Sequence, residues 1–180
     1  LKDIWNNWRK NKAKVNKKIK YFNPNHNSQL VSKQTGQVHL CVNSDGASYK
    51  NMNDYYTLQI ISHILGSGTS SRLYNKIRED SALAYSVFSY VSSYMNSGLF
   101  TSYISTIRDN YQKVLDLVLE EYDKLTKYYV GNRELEKVKN QILASVMFNI
   151  ENSKTEMFRN MNDYLCHDDV VKVENLEKQI

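Results

Sequence analysis

Cysteine, proline and glycine are all scarce in this 180-residue chain, which holds two, one and six of them. The two cysteines, Cys41 and Cys166, fall far apart and in no metal-ligand spacing, so free thiols in a reducing compartment are expected. The chain is expected in the cytoplasm, with the mitochondrial matrix as the alternative. Long apolar runs are missing as well. The longest, around Leu58 to Leu65, is broken by Ser62 and His63 and falls well short of the roughly 20 residues that span a bilayer. No signal-peptide pattern opens the sequence, and no membrane partner is expected. The four histidines, His26, His39, His63 and His167, include no i, i+4 pair and no His-Glu-x-x-His or related pattern, so no metal is expected in this chain. The first residue is Leu1 rather than Met, and the sequence is expected to be a piece of something longer.

What is present suits a globular domain. Apolar residues make up 41% and charged residues 24%, ordinary proportions for a chain that can bury a core. The 14 tyrosines and the richness in Asn and Lys read as compositional bias rather than function. The net charge of +5 would suit nucleic acid only if it were spread over a surface. It is not: residues 1–20 carry eight basic groups against Asp3, a balance of +7, and the other 160 residues sum to −2. This basic arm, with Ile4, Trp5 and Trp8, reads as a linker, followed by a domain over residues 21–180. No base-reading module follows it, and no nucleic-acid partner is expected.

Along the chain the periodicity changes in a definite order. Gln37 to Asn43 alternates, with Val38, Leu40 and Val42 on one face and His39 and Cys41 on the other, which predicts a strand. Leu58, Ile61 and Leu65 follow helical spacing, with Asn53 or Asp54 as N-cap and Gly66 as the left-handed C′ residue. Thr69 or Ser70 then caps a short helix whose Leu73 and Ile77 share a face. From Ala84 to Tyr94 the period returns to two, with Tyr85, Val87 and Val91 on one side and Phe88, Tyr90 and Tyr94 on the other. Asn96-Ser97-Gly98 turns the chain into a second strand, Leu99 to Ile107. An amphipathic helix capped by Asp109 follows, with Val114, Val118, Tyr122 and Leu125 on its stripe. After Gly131 and Asn132 a long helix runs to about Cys166, bent near Ser153. Few strands and long amphipathic helices predict an α+β fold, an antiparallel sheet carrying its helices on one face.

The stretch from Leu65 to Tyr85 joins a helix end, a glycine turn, a short helix and a strand entry. Gly66-Ser67-Gly68 is no phosphate cradle: it follows a helix, has no Lys-Ser/Thr after the second Gly, and has Ser71 where a dinucleotide fingerprint needs Gly. These glycines are better read as letting one helix end and the next begin close to a neighbouring backbone. Arg78 near a helix end and Tyr85 in a strand have ordinary structural readings of their own. A helix end and a strand entry joined by a short turn can also aim a guanidinium and a phenol at one space, a pair that would suit an oxygen gaining negative charge.

Leu65-Gly66-Ser67-Gly68-Thr69-Ser70-Ser71-Arg72-Leu73-Tyr74, with Ile77-Arg78-Glu79 and Leu83-Ala84-Tyr85-Ser86-Val87, resembles the carboxy-terminal, non-zinc domain of M16 (pitrilysin/insulinase-like) zinc metallopeptidases, in the processing-peptidase-like branch. The resemblance covers the chain from about Gln37 through the long helix. It implies two such α+β halves enclosing a chamber, one holding zinc through His-x-x-Glu-His, the other offering Arg78 and Tyr85 to the substrate carbonyl. It implies a zinc-bearing domain or subunit as partner and a peptide bound as an extended strand on a sheet edge. Arg78 and Tyr85 would then bind substrate and stabilise the tetrahedral oxyanion, while zinc held elsewhere polarises the carbonyl and activates water. Three departures stand out. No His-x-x-Glu-His occurs here, so this piece is not expected to hydrolyse anything alone. Ala82 stands where the family usually has Gly, and Ser67 replaces another common Gly. The rival expectation is a structural subunit of the same fold in which the pair is vestigial. The domain is also expected to stop before its usual last strand and helix.

Overall fold

The computed structural model of the protein describes residues 28–167 and 169–170, so the expectations for the basic arm and for His26 lie outside the described residues. In chain order the elements are β1 (Val38–Asp45), α1 (Met52–Gly66), a π-helix (Tyr74–Glu79), β2 (Ala84–Ser93), β3 (Gly98–Thr106), α2 (Tyr111–Lys127), α3 (Asn132–Ile150) and α4 (Ser153–His167). The sheet order is β1-β3-β2, with β3 antiparallel to both neighbours. The fold is the expected α+β arrangement.

Alternation along the strands decides which face is covered. Leu40, Val42, Val87, Phe100 and Ile104 face the core, where they meet Leu58, Ile61 and Leu65 of α1 and Val114 and Val118 of α2. Both helices therefore lie on one side of the sheet, as half-buried antiparallel strands require. His39, Cys41, Phe88 and Tyr90 fall on the opposite face and are exposed. A second, smaller cluster of Ile64, Val138 and Ile142 fastens α3 to α1. Beneath α2, Tyr122 donates its phenolic hydrogen to Ser102 Oγ at 2.8 Å, and Ser102 and Ser89 share a hydrogen bond of 2.7 Å. Two hydrogen bonds thus tie three hydroxyl groups together inside the core, where polar groups need partners.

Several local expectations shift. The N-cap of α1 is Asn51, whose side-chain oxygen accepts the Asp54 N–H at 3.3 Å, rather than Asn53 or Asp54. Gly66 is not the left-handed residue but the last residue of α1, pressed against β2: a Cβ there would lie 2.4 Å from the Ser89 backbone nitrogen. The helix stops at Ser67, whose N–H donates to the Ser62 carbonyl, and the positive φ (+100°) belongs to Gly68. A 3-10 turn over Arg108–Asn110 leads into α2, so Asp109 precedes the helix without capping it. The long carboxy-terminal helix is two helices. Asn152 separates them and accepts the N–H groups of Lys154 and Thr155 at 3.0 and 3.3 Å, starting α4. Across that break the stripe changes character: Val138 and Ile142 are buried, whereas Met157, Met161 and Leu165 are exposed.

Candidate functional site

The site is built on the π-helix. The chain enters it from Gly68, and the Ser71 carbonyl accepts the Asn75 N–H at 3.0 Å, so Thr69 and Ser70 lie in the preceding turn rather than at the cap. Leu73 and Ile77, four residues apart, are both fully buried and fix the rotation of the helix against the core. Tyr74 and Arg78 each follow one of these anchors and are therefore carried on the flank, half-buried. The helix is wider than an α-helix near its end, where the Asp80 N–H reaches back five residues to the Asn75 carbonyl at 2.8 Å. π-turns of this kind recur at functional sites.

Ion pairs hold the outer side of the same helix. Arg72 donates from Nε and Nη2 to the two carboxylate oxygens of Glu134 on α3, at 2.8 and 2.5 Å. Lys76 lies between Glu120 and Glu121 of α2, at 2.8 and 2.9 Å, and Lys124 joins both acids at 2.9 Å. Glu121 is buried, which alone would push its carboxyl up; the hydrogen bonds and charges of Lys76 and Lys124 outweigh burial and hold it below the ordinary range. Glu120, in solvent, is held at about 2 by hydrogen bonds from Lys76 and then Lys124. A buried carboxylate facing two ammonium groups is costly to break from either side. It therefore fixes the π-helix relative to α2.

The chain leaves the π-helix through a left-handed residue that is not glycine. Ala82 has φ +49°, and its N–H donates to the Arg78 carbonyl at 3.2 Å. This five-to-one bond onto a helix end is the αL cap that usually uses Gly. Ala82 is the position where the resemblance leads one to expect Gly, and the backbone there has the positive φ that favours Gly.

Beyond Leu83 the chain enters β2 through a bulge. Ala84 pairs with Thr106 and Ser86 with Ser105, which leaves Tyr85 as the extra residue. The strict period-two reading put Tyr85 on the side of Val87 and Val91. The bulge takes it off that face: Ala84 and Val87 pack on the core, while Tyr85 is 74% exposed. Re-aiming one side chain is a recurrent use of a bulge. The result brings the two sequence-predicted residues together, with Arg78 Cζ 5.6 Å from the Tyr85 ring centroid and 4.9 Å from that of Tyr74. Among the described residues Arg78 has no ion-pair partner. A half-exposed guanidinium without a carboxylate, beside a solvent-facing phenol, can receive an anionic oxygen.

Two contributors escaped the sequence reading. Tyr74 stands four residues before Arg78, a spacing that makes helical neighbours, and that was the available signal. Glu121 falls at helical spacing between the buried Val114 and Val118 and the partly buried Leu125, which marks it as an inward acid. Among the described residues no three His, Cys, Asp or Glu side chains converge as a metal site requires. His39 shares a 2.6 Å hydrogen bond with the Tyr103 hydroxyl, and His63 Nδ1 lies 2.9 Å from the Gln59 carbonyl. The donors among the described residues do not fit zinc.

An antiparallel sheet with helices on one face, and an Arg/Tyr pair at a π-helix-to-strand junction, define an α+β domain with an open cationic site. Residues 1–142 match the family described as Peptidase M16 inactive domain. The chain belongs to the M16 peptidase family, as a domain of its inactive type. It is 36% identical over 136 residues to the uncharacterized zinc protease YmxG of Bacillus subtilis strain 168, covering 75% of this chain and 33% of that protein. It thus spans about a third of the length of that curated relative. A protease from Helicobacter pylori shares the fold with a TM-score of 0.72 at 20% identity, over 82% of this chain and 35% of the other. A chain of Complex III2 from Candida albicans does so with the same TM-score at 15% identity, over 82% of this chain and 37% of that one.

Proposed function

We propose that this domain is the non-zinc half of an M16 zinc peptidase, in which Arg78 and Tyr85 bind the scissile carbonyl of an extended peptide and stabilise its oxyanion. The zinc-bearing partner, another domain or subunit, supplies the Lewis acid and the activated water. This chain supplies charge and a hydroxyl donor at fixed positions. The observation that carries the reading is the Arg78–Tyr85 apposition at 5.6 Å, with the phenol in solvent and no ion pair to the guanidinium among the described residues. A charge paired to a carboxylate would have to break that pair before serving a substrate. The kinship with YmxG, named a zinc protease, supports the same reading. So does the position of β2 at an edge of the sheet formed by the described residues, where a peptide strand can add by backbone hydrogen bonds.

The test is peptide turnover by the enzyme assembled with its zinc-bearing half. Arg78→Ala and Tyr85→Phe are each expected to lower kcat by about 10²-fold or more, the usual loss for one oxyanion donor. Far-UV circular dichroism should not change, because neither side chain is in the core. Turnover at the parent level in both variants would deny the pair a catalytic part and assign the domain a structural role.

A further inference from the structure

Arg78 poses a physical problem that its catalytic reading does not solve. A long, half-exposed arginine samples many rotamers, and a donor acts on a transition state only if it is already in place. The usual restraint is a carboxylate, as for Arg72 with Glu134. A carboxylate would also occupy the N–H groups and cancel the charge. The other restraint is an aromatic face, which attracts the cation through its quadrupole and touches the flat side of the guanidinium, leaving the in-plane N–H groups uncommitted. Arg78 has that restraint twice, with Tyr74 the nearer ring at 4.9 Å. Tyr85 is itself largely exposed and is committed, in the reading above, to the substrate. Tyr74 is fixed from below, because it sits on the same helix between Leu73 and Ile77, both fully buried.

We infer that Tyr74 is a positioning residue: its ring face holds the Arg78 guanidinium in place, so that its N–H groups meet the substrate oxygen without reorganisation. This rests on the assignment of Arg78 to the oxyanion. It predicts that the ring matters and the Tyr74 hydroxyl does not.

The experiment uses the assembled peptidase with Tyr74→Leu, Tyr74→Phe and, as reference, Arg78→Ala. Two quantities are read: kcat and KM on a peptide, and the ring-current shift of the Arg78 side-chain protons by NMR. Tyr74→Leu is expected to lower kcat about tenfold, the scale of one partly desolvated cation–π contact, and to remove much of the upfield shift. Tyr74→Phe should retain most of both. The inference fails if Tyr74→Phe loses as much as Tyr74→Leu, or if Tyr74→Leu leaves kcat unchanged while Arg78→Ala lowers it. If Arg78→Ala itself leaves turnover intact, the oxyanion assignment is what has failed, and the role of Tyr74 goes with it. The Phe variant keeps the test decisive should the Leu variant fold poorly.

Discussion

Replacing Ala82 by glycine should stabilise the protein, against the usual direction of such a change. In the left-handed region the Cβ of an L-residue crowds the following carbonyl, at roughly 1–2 kcal/mol per residue. Ala82 occupies that region, at φ +49°. Its methyl group is exposed, so truncation removes no packing. The cap bond from its N–H to the Arg78 carbonyl is a backbone bond and survives. Against the relief stands the extra freedom glycine brings to the unfolded chain, about 0.4–1 kcal/mol. The net gain is of order 1 kcal/mol, which for a chain of this size raises Tm by about 2–4 °C. Ala82→Val is the control: a β-branched residue at positive φ is more strained still and should lower Tm. Urea or thermal denaturation followed by circular dichroism reads both, with the urea m-value unchanged if only the folded state is affected. A neutral or destabilising Ala82→Gly together with a tolerated Ala82→Val would refute the strain and, with it, the cap geometry that ends the Arg78 helix.

Other consequences follow from the packing around the site. Gly66→Ala would normally add about 1 kcal/mol of helix propensity, yet a Cβ 2.4 Å from the Ser89 nitrogen should make it lose about 1–3 kcal/mol by overpacking; a rise in Tm would contradict the contact. For Glu121 the folded carboxyl lies below the ordinary 4.5, so the unfolded chain binds more protons as the pH falls through that value. The stabilisation from this group is therefore complete above about pH 4.5 and is lost progressively below it, down to the lowered folded value. Glu120 adds to the same acid limb, its window running from 4.5 down to about 2. Urea midpoints measured from about pH 6 to pH 2 should fall on the acid side, and Glu121→Gln should be less stable at neutral pH with a flatter acid limb. An unchanged limb would mean the buried acid does not couple the π-helix to α2.

What could be read before the structure, and what could not, divides along a physical line. Periodicity reports which side of an element meets the core, and it placed Val38, Leu40 and Val42, the Val114–Val118 stripe, and Phe88 and Tyr90 on the faces where they stand. It carries no information about a one-residue insertion, because a bulge keeps the residue types and changes only their phase. That is why Tyr85 was assigned to the side of Val87 although Ala84–Ser86 shifts register there. The irregularity near Ser153 was legible as a bend but not as the break it is, because the apolar spacing continues from α3 into α4 while the burial does not. The glycine turn was legible in kind but not in detail: the close approach was expected, yet sterics assign it to Gly66 and the positive φ to Gly68.

The junction at Arg78 and Tyr85 combines three departures from regular structure: a π-turn, a non-glycine αL residue and a β-bulge. Ala82 at positive φ costs stability locally, and each of the three has a directional effect. The π-turn accompanies the placement of Arg78 over Tyr74, the αL residue reverses the chain within a few positions, and the bulge turns Tyr85 out of the core. A domain whose sheet served only to hold its helices would be better served by a regular strand entry with Tyr85 facing inward. Strain concentrated where two polar side chains converge, and supported by the buried Glu121 pair and the Arg72–Glu134 fork, is the distribution expected of a site rather than of a scaffold. Ala82→Gly, which relaxes the junction and restores the residue that the M16 pattern usually has, should gain stability without losing turnover in the assembled enzyme. A variant that gains stability but loses turnover would make the strain at Ala82 itself part of the mechanism.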